Sequence, residues 1–115
     1  MANFKRGDVI KVPFPYTDRT TQQSRPALVV SSRGLEDTHG LLWVLMITSA
    51  ENRGWPGDVP VTNLAEAGLP VASVVRTAKI ATIEAGDAVK LGKLSVSTLR
   101  QVCKHLEREL DIERN

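Results

Sequence analysis

Ser24-Arg25-Pro26-Ala27-Leu28-Val29-Val30-Ser31 is the stretch from which the rest of the chain can be read. Proline fixes its own φ and drives the residue before it into extended backbone, so Arg25 stands at a stiff junction between a polar loop and an apolar strand. From Ala27 to Val30 the apolar residues are consecutive rather than alternating, and the same holds for Leu41-Leu42-Trp43-Val44-Leu45-Met46-Ile47. Such runs belong to strands covered on both faces or lining a small closed sheet. The second run ends in Thr48-Ser49. If the two strands pair antiparallel, two hydroxyls stand beside the Arg25 guanidinium at the sheet rim, an arrangement suited to a phosphate.

Upstream, Gly7-Asp8-Val9-Ile10-Lys11-Val12-Pro13-Phe14 places Ile10, Val12 and Phe14 on one face and Lys11 and Pro13 on the other, the pattern of a half-buried strand. Pro13 cannot donate to a ladder and so belongs at an edge or bulge. The loop 15–24 has almost no aliphatic side chain to hold it down, which marks it as mobile or ordered by a ligand.

Downstream, residues 33–40 carry the glycines and polar groups of a turn, and a second polar loop, 49–57, leads into a short strand at 59–61. Asn63-Leu64-Ala65-Glu66-Ala67-Gly68 has the N-cap, the glutamate and the closing glycine of one helical turn. Residues 73–82 are rich in β-branched side chains and read as a long strand, returning after a glycine turn near 89–91. Val96, Leu99, Val102, Leu106 and Leu110 then recur at helical spacing behind Ser95 or Ser97, either of which can cap the helix. The expected fold is mainly β with a terminal helix (α+β), a small, partly closed antiparallel barrel with short helical attachments.

At 115 residues the chain is expected to form one domain, 1–115, that buries about two thirds of its unfolded surface without staples. A single cysteine, Cys103, excludes an internal disulfide framework, and there is no apolar amino-terminal segment, so the expected location is a reducing cytoplasm. The longest apolar run is too short for a bilayer. A net charge of +2 permits a polyanionic partner without requiring one. Zinc is not expected, because His39, His105 and Cys103 are few and dispersed. His39 lies in the turn and His105 on the polar side of the helix, as surface residues do, and Cys103 beside the apolar stripe is a small buried residue. With no phosphate-binding glycine loop, no Gly-x-Ser-x-Gly elbow and no paired carboxylates, nucleotide hydrolysis and esterase chemistry lack support. No cofactor is expected.

Gly7-Asp8-Val9, Val12-Pro13-Phe14-Pro15-Tyr16-Thr17-Asp18, Arg25-Pro26-Ala27-Leu28-Val29-Val30, Ile47-Thr48-Ser49, Ser73-Val74-Val75-Arg76 and Leu91-Gly92-Lys93-Leu94 together resemble the MazF/PemK family of bacterial toxins over nearly the whole chain. The most specific parts are the Arg-Pro opening of one strand and the Thr-Ser closing the next. The resemblance implies an SH3-like barrel with a terminal helix, a homodimer, metal-independent cleavage of single-stranded RNA, and a small antitoxin whose extended segment blocks the RNA groove. It also implies that Arg25 and Thr48 are catalytic. Gln23, Ser49, Asn52, Arg76 and Lys79 are candidate substrate contacts; for Gln23, Asn52 and Lys79 a plain loop role stands beside that reading. Trp55 is suited either to stacking on a base or to packing beside Pro56. Several family members carry an acidic residue two positions after the arginine matching Arg76, and some a histidine in the first loop. Here the chain reads Arg76-Thr77-Ala78 and that loop has no histidine, so no general base is identified; Asp18 in the first loop is a candidate proton acceptor that nothing else in the sequence supports. A barrel that binds RNA or a protein without cutting is the alternative.

Overall fold

A computed structural model describes residues 3–13 and 24–112. Phe14, Asp18 and Gln23, and with them most of the first loop, lie outside the described residues. Strands β1 (Asp8–Pro13), β2 (Ser24–Val29), β3 (Leu41–Ser49), β4 (Asp58–Pro60), β5 (Ser73–Glu84) and β6 (Val89–Lys93) form one antiparallel sheet in the order β4-β5-β3-β2-β1-β6. Three helices attach to it: α1 (Arg33–His39), α2 (Leu64–Ala67) and α3 (Val96–Leu110). The order is linear, with β4 and β6 at opposite edges, so the barrel is open.

Consecutive apolar residues in the central strands serve two cores. Ala27, Val29, Leu42 and Val44 join Ile10, Val12 and Ile83 on one face, while Leu28, Leu45 and Ile47 join Val9, Val75 and Val102 on the other. Strand alternation sends neighbouring side chains to opposite faces, so an unbroken apolar run is what two covered faces demand. Strand β1 buries Ile10 and Val12 and exposes Lys11 and Pro13 as expected, and Val9 on the second face is buried as well. Although β1 is an interior strand, its ladder to β6 ends at Lys11, so Pro13 faces no partner on that side.

Residues 33–40 form a helix and its cap instead of a turn. α1 begins after Ser32 and closes where the Gly40 N–H donates to the Glu36 carbonyl at 2.7 Å. The helix buries none of its residues, which is why no apolar period announces it. It is held partly by the Phe4 N–H donating to Glu36 Oε1 at 2.8 Å. In α3 the cap is Ser95, whose Oγ accepts from the Thr98 N–H. Only the middle of the expected stripe packs. Thr98 and Val102 are buried and Leu99 and Leu106 lie against the second core, but Val96 and Leu110 are exposed. Cys103 and His105 are each half-buried. Among the described residues no helix is long and apolar enough to cross a membrane.

The short helix α2 has the expected caps, Asn63 Oδ1 accepting from the Glu66 N–H and Gly68 closing at φ 72°. A Cβ on Gly68 would collide with the Leu91 carbonyl oxygen, so α2 sits on β6 backbone to backbone. Gly68→Ala combines a left-handed conformation with a backbone clash and is expected to destabilise the protein by about 2–5 kcal/mol. Urea unfolding measures it, and a loss of less than about 1 kcal/mol would show that the contact relaxes freely.

Candidate functional site

Arg25 is the second residue of β2, opposite Val12 of β1, and half-buried. Its Nε is buried and has no hydrogen-bond acceptor among the described residues. A buried donor left without a partner costs about 1–3 kcal/mol, and native structures carry few such groups.

The ladder between β2 and β3 pairs Ala27 with Met46, Leu28 with Leu45 and Val29 with Val44, and stops there. The next residue of β2 is Pro26, which offers no N–H to continue it. Followed two residues further, the same register brings Arg25 opposite Thr48. Both side chains lie on the face of the first core, where Ala27, Val29 and Val44 also point. The two strands pair antiparallel, as the sequence leads one to expect.

Thr48 is 6% exposed, and its Oγ1 accepts from Asn52 Nδ2 at 2.5 Å. The loop leaving β3 folds back on itself, the Asn52 N–H donating to the Ser49 carbonyl at 3.1 Å and the Glu51 N–H to Ser49 Oγ at 3.2 Å. Asn52 thus belongs to the Thr48 neighbourhood, and Ser49 shapes the turn that brings it there.

Arg76 sits on the same face, paired with Met46 on one side and Asp58 on the other. It is 7% exposed. Its Nε donates to Asp58 Oδ1 at 3.2 Å, and Nη2 donates to Asp58 Oδ2 at 3.0 Å and to the Arg53 carbonyl at 2.8 Å. Its Cζ lies 4.4 Å from the centroid of the Trp55 ring. The Trp55 N–H in turn donates to Asp58 Oδ2 at 2.9 Å, and Thr77 Oγ1 donates to the Gly57 carbonyl at 2.8 Å. Two of the three guanidinium nitrogens of Arg76 are thereby engaged in holding the loop 50–57 to the sheet. Lys79 lies in the bulge of β5 that follows Arg76, with its Nζ 5.9 Å from the Trp55 centroid. Nothing in the sequence around Asp58 points to its role, because only the β4–β5 register joins it to an arginine eighteen residues away.

Burial alone would raise the Asp58 carboxyl, but hydrogen bonds from Arg76 and from the Trp55 N–H, together with the Arg76 charge, outweigh it and hold the group below its ordinary 3.8. A folded-state value below the unfolded one means that the pair's contribution is complete above the unfolded value and is lost as pH falls through the folded one. Asp58→Asn is expected to lower stability at neutral pH by about 1–3 kcal/mol, with the deficit shrinking below about pH 4. Urea unfolding across a pH series measures it, and a deficit unchanged down to about pH 2 would show that the charge is not what matters.

On the opposite face, α1, α3, β3 and β5 line a groove of about 1000 Å³. Leu35, Trp43, Ile80, Leu106 and Leu110 contribute to it, with Trp43, Ile80 and Leu110 exposed. No apolar stripe in the sequence announces this surface, because its residues come from four separate elements.

A family model described as PemK-like, MazF-like toxin of type II toxin-antitoxin system matches residues 5–110. Among solved structures the fold is similar to MazF from Deinococcus radiodurans, at a TM-score of 0.78 and 22% identity, covering 97% of this chain and 100% of that one. It is also similar to an endoribonuclease in complex with its cognate antitoxin from a mycobacterial species, at a TM-score of 0.75 and 17% identity, with both chains covered in full. The Mycobacterium tuberculosis toxin MazF-mt6 matches at 0.72 and 20% identity over 93% of this chain and 99% of that one. At such identities the likeness is one of fold. No curated protein sequence matches the chain.

Proposed function

Because the chain belongs to the PemK-like, MazF-like toxins of type II toxin-antitoxin systems, we propose that it is a metal-independent endoribonuclease that cuts single-stranded RNA sequence-selectively and so stops translation in the cytoplasm. The observation that carries the proposal is a half-buried arginine whose Nε has no acceptor among the described residues, at the strand end that the β2–β3 register, extended past its last pair Ala27–Met46, aligns with Thr48. In this reaction the RNA 2′-hydroxyl attacks the adjacent phosphorus and the 5′-oxygen of the next nucleotide leaves. The extra negative charge of the phosphorane-like transition state needs fixed donors. Arg25, permanently charged and forked, takes the non-bridging oxygens. Thr48 Oγ1, which accepts from Asn52, is free to donate its own proton to the scissile phosphate or to orient the attacking hydroxyl.

Asn52 and Ser49 flank that position, and Arg76, Lys79 and Gln23 complete the proposed RNA surface, Arg76 acting chiefly through the loop it holds. Asp58 is a poor base at neutral pH, since Arg76 keeps it ionised at low pH and occupies its oxygens. Asp18, in the first loop, is a candidate for the proton, and no general base is assigned.

Residues 1–115 act as one domain in this reading. Its partners are a cognate antitoxin and a second copy of the chain. The antitoxin is supported by the similar structures that are toxin-antitoxin complexes. The homodimer is supported by the exposed apolar groove between α1 and α3.

The test is to incubate purified protein with single-stranded RNA in excess chelator and to analyse the ends. Fragments with a 2′,3′-cyclic or 3′-phosphate and a free 5′-hydroxyl are expected. Intact RNA that remains tightly bound would instead favour a non-catalytic binding barrel.

A further inference from the structure

The loop 50–57 carries an aromatic side chain in an unusual setting. Trp55 is 38% exposed, although its indole lies 4.4 Å from a guanidinium that is itself nearly buried. The loop is held at both ends. At one end Asn52 is bonded to Thr48, and at the other Arg76 holds Asp58 and the Arg53 carbonyl while Asp58 holds the Trp55 backbone. The part of the indole that stays exposed forgoes burial that a residue of this size usually gains, and it stands on a loop held in place. Arg76 and Lys79 lie 4.4 and 5.9 Å from the ring centroid, and an indole fixed in this way suits a ligand that has a flat π-face.

We propose that Trp55 is a stacking platform for an unpaired base of a single-stranded RNA, set by the Arg76–Asp58 pair beside the Thr48 end of the site. The proposal deepens the endoribonuclease reading and rests on it for the identity of the ligand. Stacking on an aromatic ring tolerates any base, so Trp55 contributes affinity and strand placement rather than base choice.

The protein has two tryptophans, and Trp43 lines the groove assigned above to a second copy, so Trp43→Phe, which keeps an aromatic ring there, leaves Trp55 as the sole indole reporter once sizing has shown the same assembly as the parent. The probe is a single-stranded RNA of about ten nucleotides with 2′-O-methyl riboses, which cannot be cut, compared with an abasic strand of the same phosphate count. Quenching of Trp55 fluorescence by the base-bearing strand, and not by the abasic one, is expected. Trp55→Ala is expected to raise Kd roughly 5- to 150-fold, with Trp55→Phe closer to the parent. Equal quenching by both strands, no quenching at all, or unchanged affinity in Trp55→Ala would overturn the proposal. Should Trp55→Ala fail to fold, the comparison of the two strands on the Trp43→Phe protein decides by itself. The measurement needs no cleavage. A protein that cuts RNA but binds equally well without Trp55 loses only the platform, whereas one that stacks bases without cutting loses only the nuclease reading.

Discussion

Arg25→Ala is expected to reduce RNA cleavage by about 10²- to 10³-fold or more while leaving the fold intact. The size follows from what the side chain would do in a site partly shielded from water, where a fixed donor facing a developing oxyanion is worth far more than in bulk solvent. The fold should survive because Arg25 lies at the strand end beyond the β2–β3 ladder and its Nε makes no hydrogen bond among the described residues that the variant would lose. Removing a buried donor without a partner can even raise stability slightly. Loss of activity with equal or higher stability is thus the expected signature of a group kept for substrate. Arg25→Lys should rescue little, because a lysine restores charge but not the planar fork. Single-turnover cleavage of a labelled RNA, alongside a thermal melt, measures both. A lysine variant as active as the parent would sink the bidentate role.

Thr48→Ala is expected to lower cleavage by about 10²-fold. The alanine leaves Asn52 Nδ2 without its acceptor, so the loop 50–57 loosens at one end; a stability loss of about 1 kcal/mol is expected. The two effects are separable. Thr48→Ser keeps the hydroxyl and should retain activity within about tenfold, while Asn52→Ala removes only the second partner of that oxygen and should affect cleavage less than Thr48→Ala. Equal rates for Thr48→Ala and the parent protein would leave the hydroxyl a purely structural role.

How much of this could be read before folding depends on the range of the interaction. Caps at Asn63 and Ser95 and the strand at β5 were legible because their signals are local, a side-chain oxygen and an N–H a few residues apart, or a run of β-branched side chains. The helix α1 was not, since it buries none of its residues and so leaves no period to detect. Arg76 illustrates what range hides: its register opposite Asp58 gives it a carboxylate and an indole as neighbours, and neither partner is signalled near it in the sequence.

Local sequence was sufficient for the stiff entry at Arg25-Pro26, the doubly covered strands and the Thr48-Ser49 ending, because proline geometry and apolar patterning act within a few residues. Which groups face one another was decided by strand register and by the bulge in β5. Those align the β2 end bearing Arg25 with the β3 end bearing Thr48, pair Arg76 with Asp58 and leave Trp55 partly exposed beside that pair. Pairing across strands joins residues far apart in the chain, and the packing of both sheet faces selects one register among many, a choice that no short stretch of sequence contains.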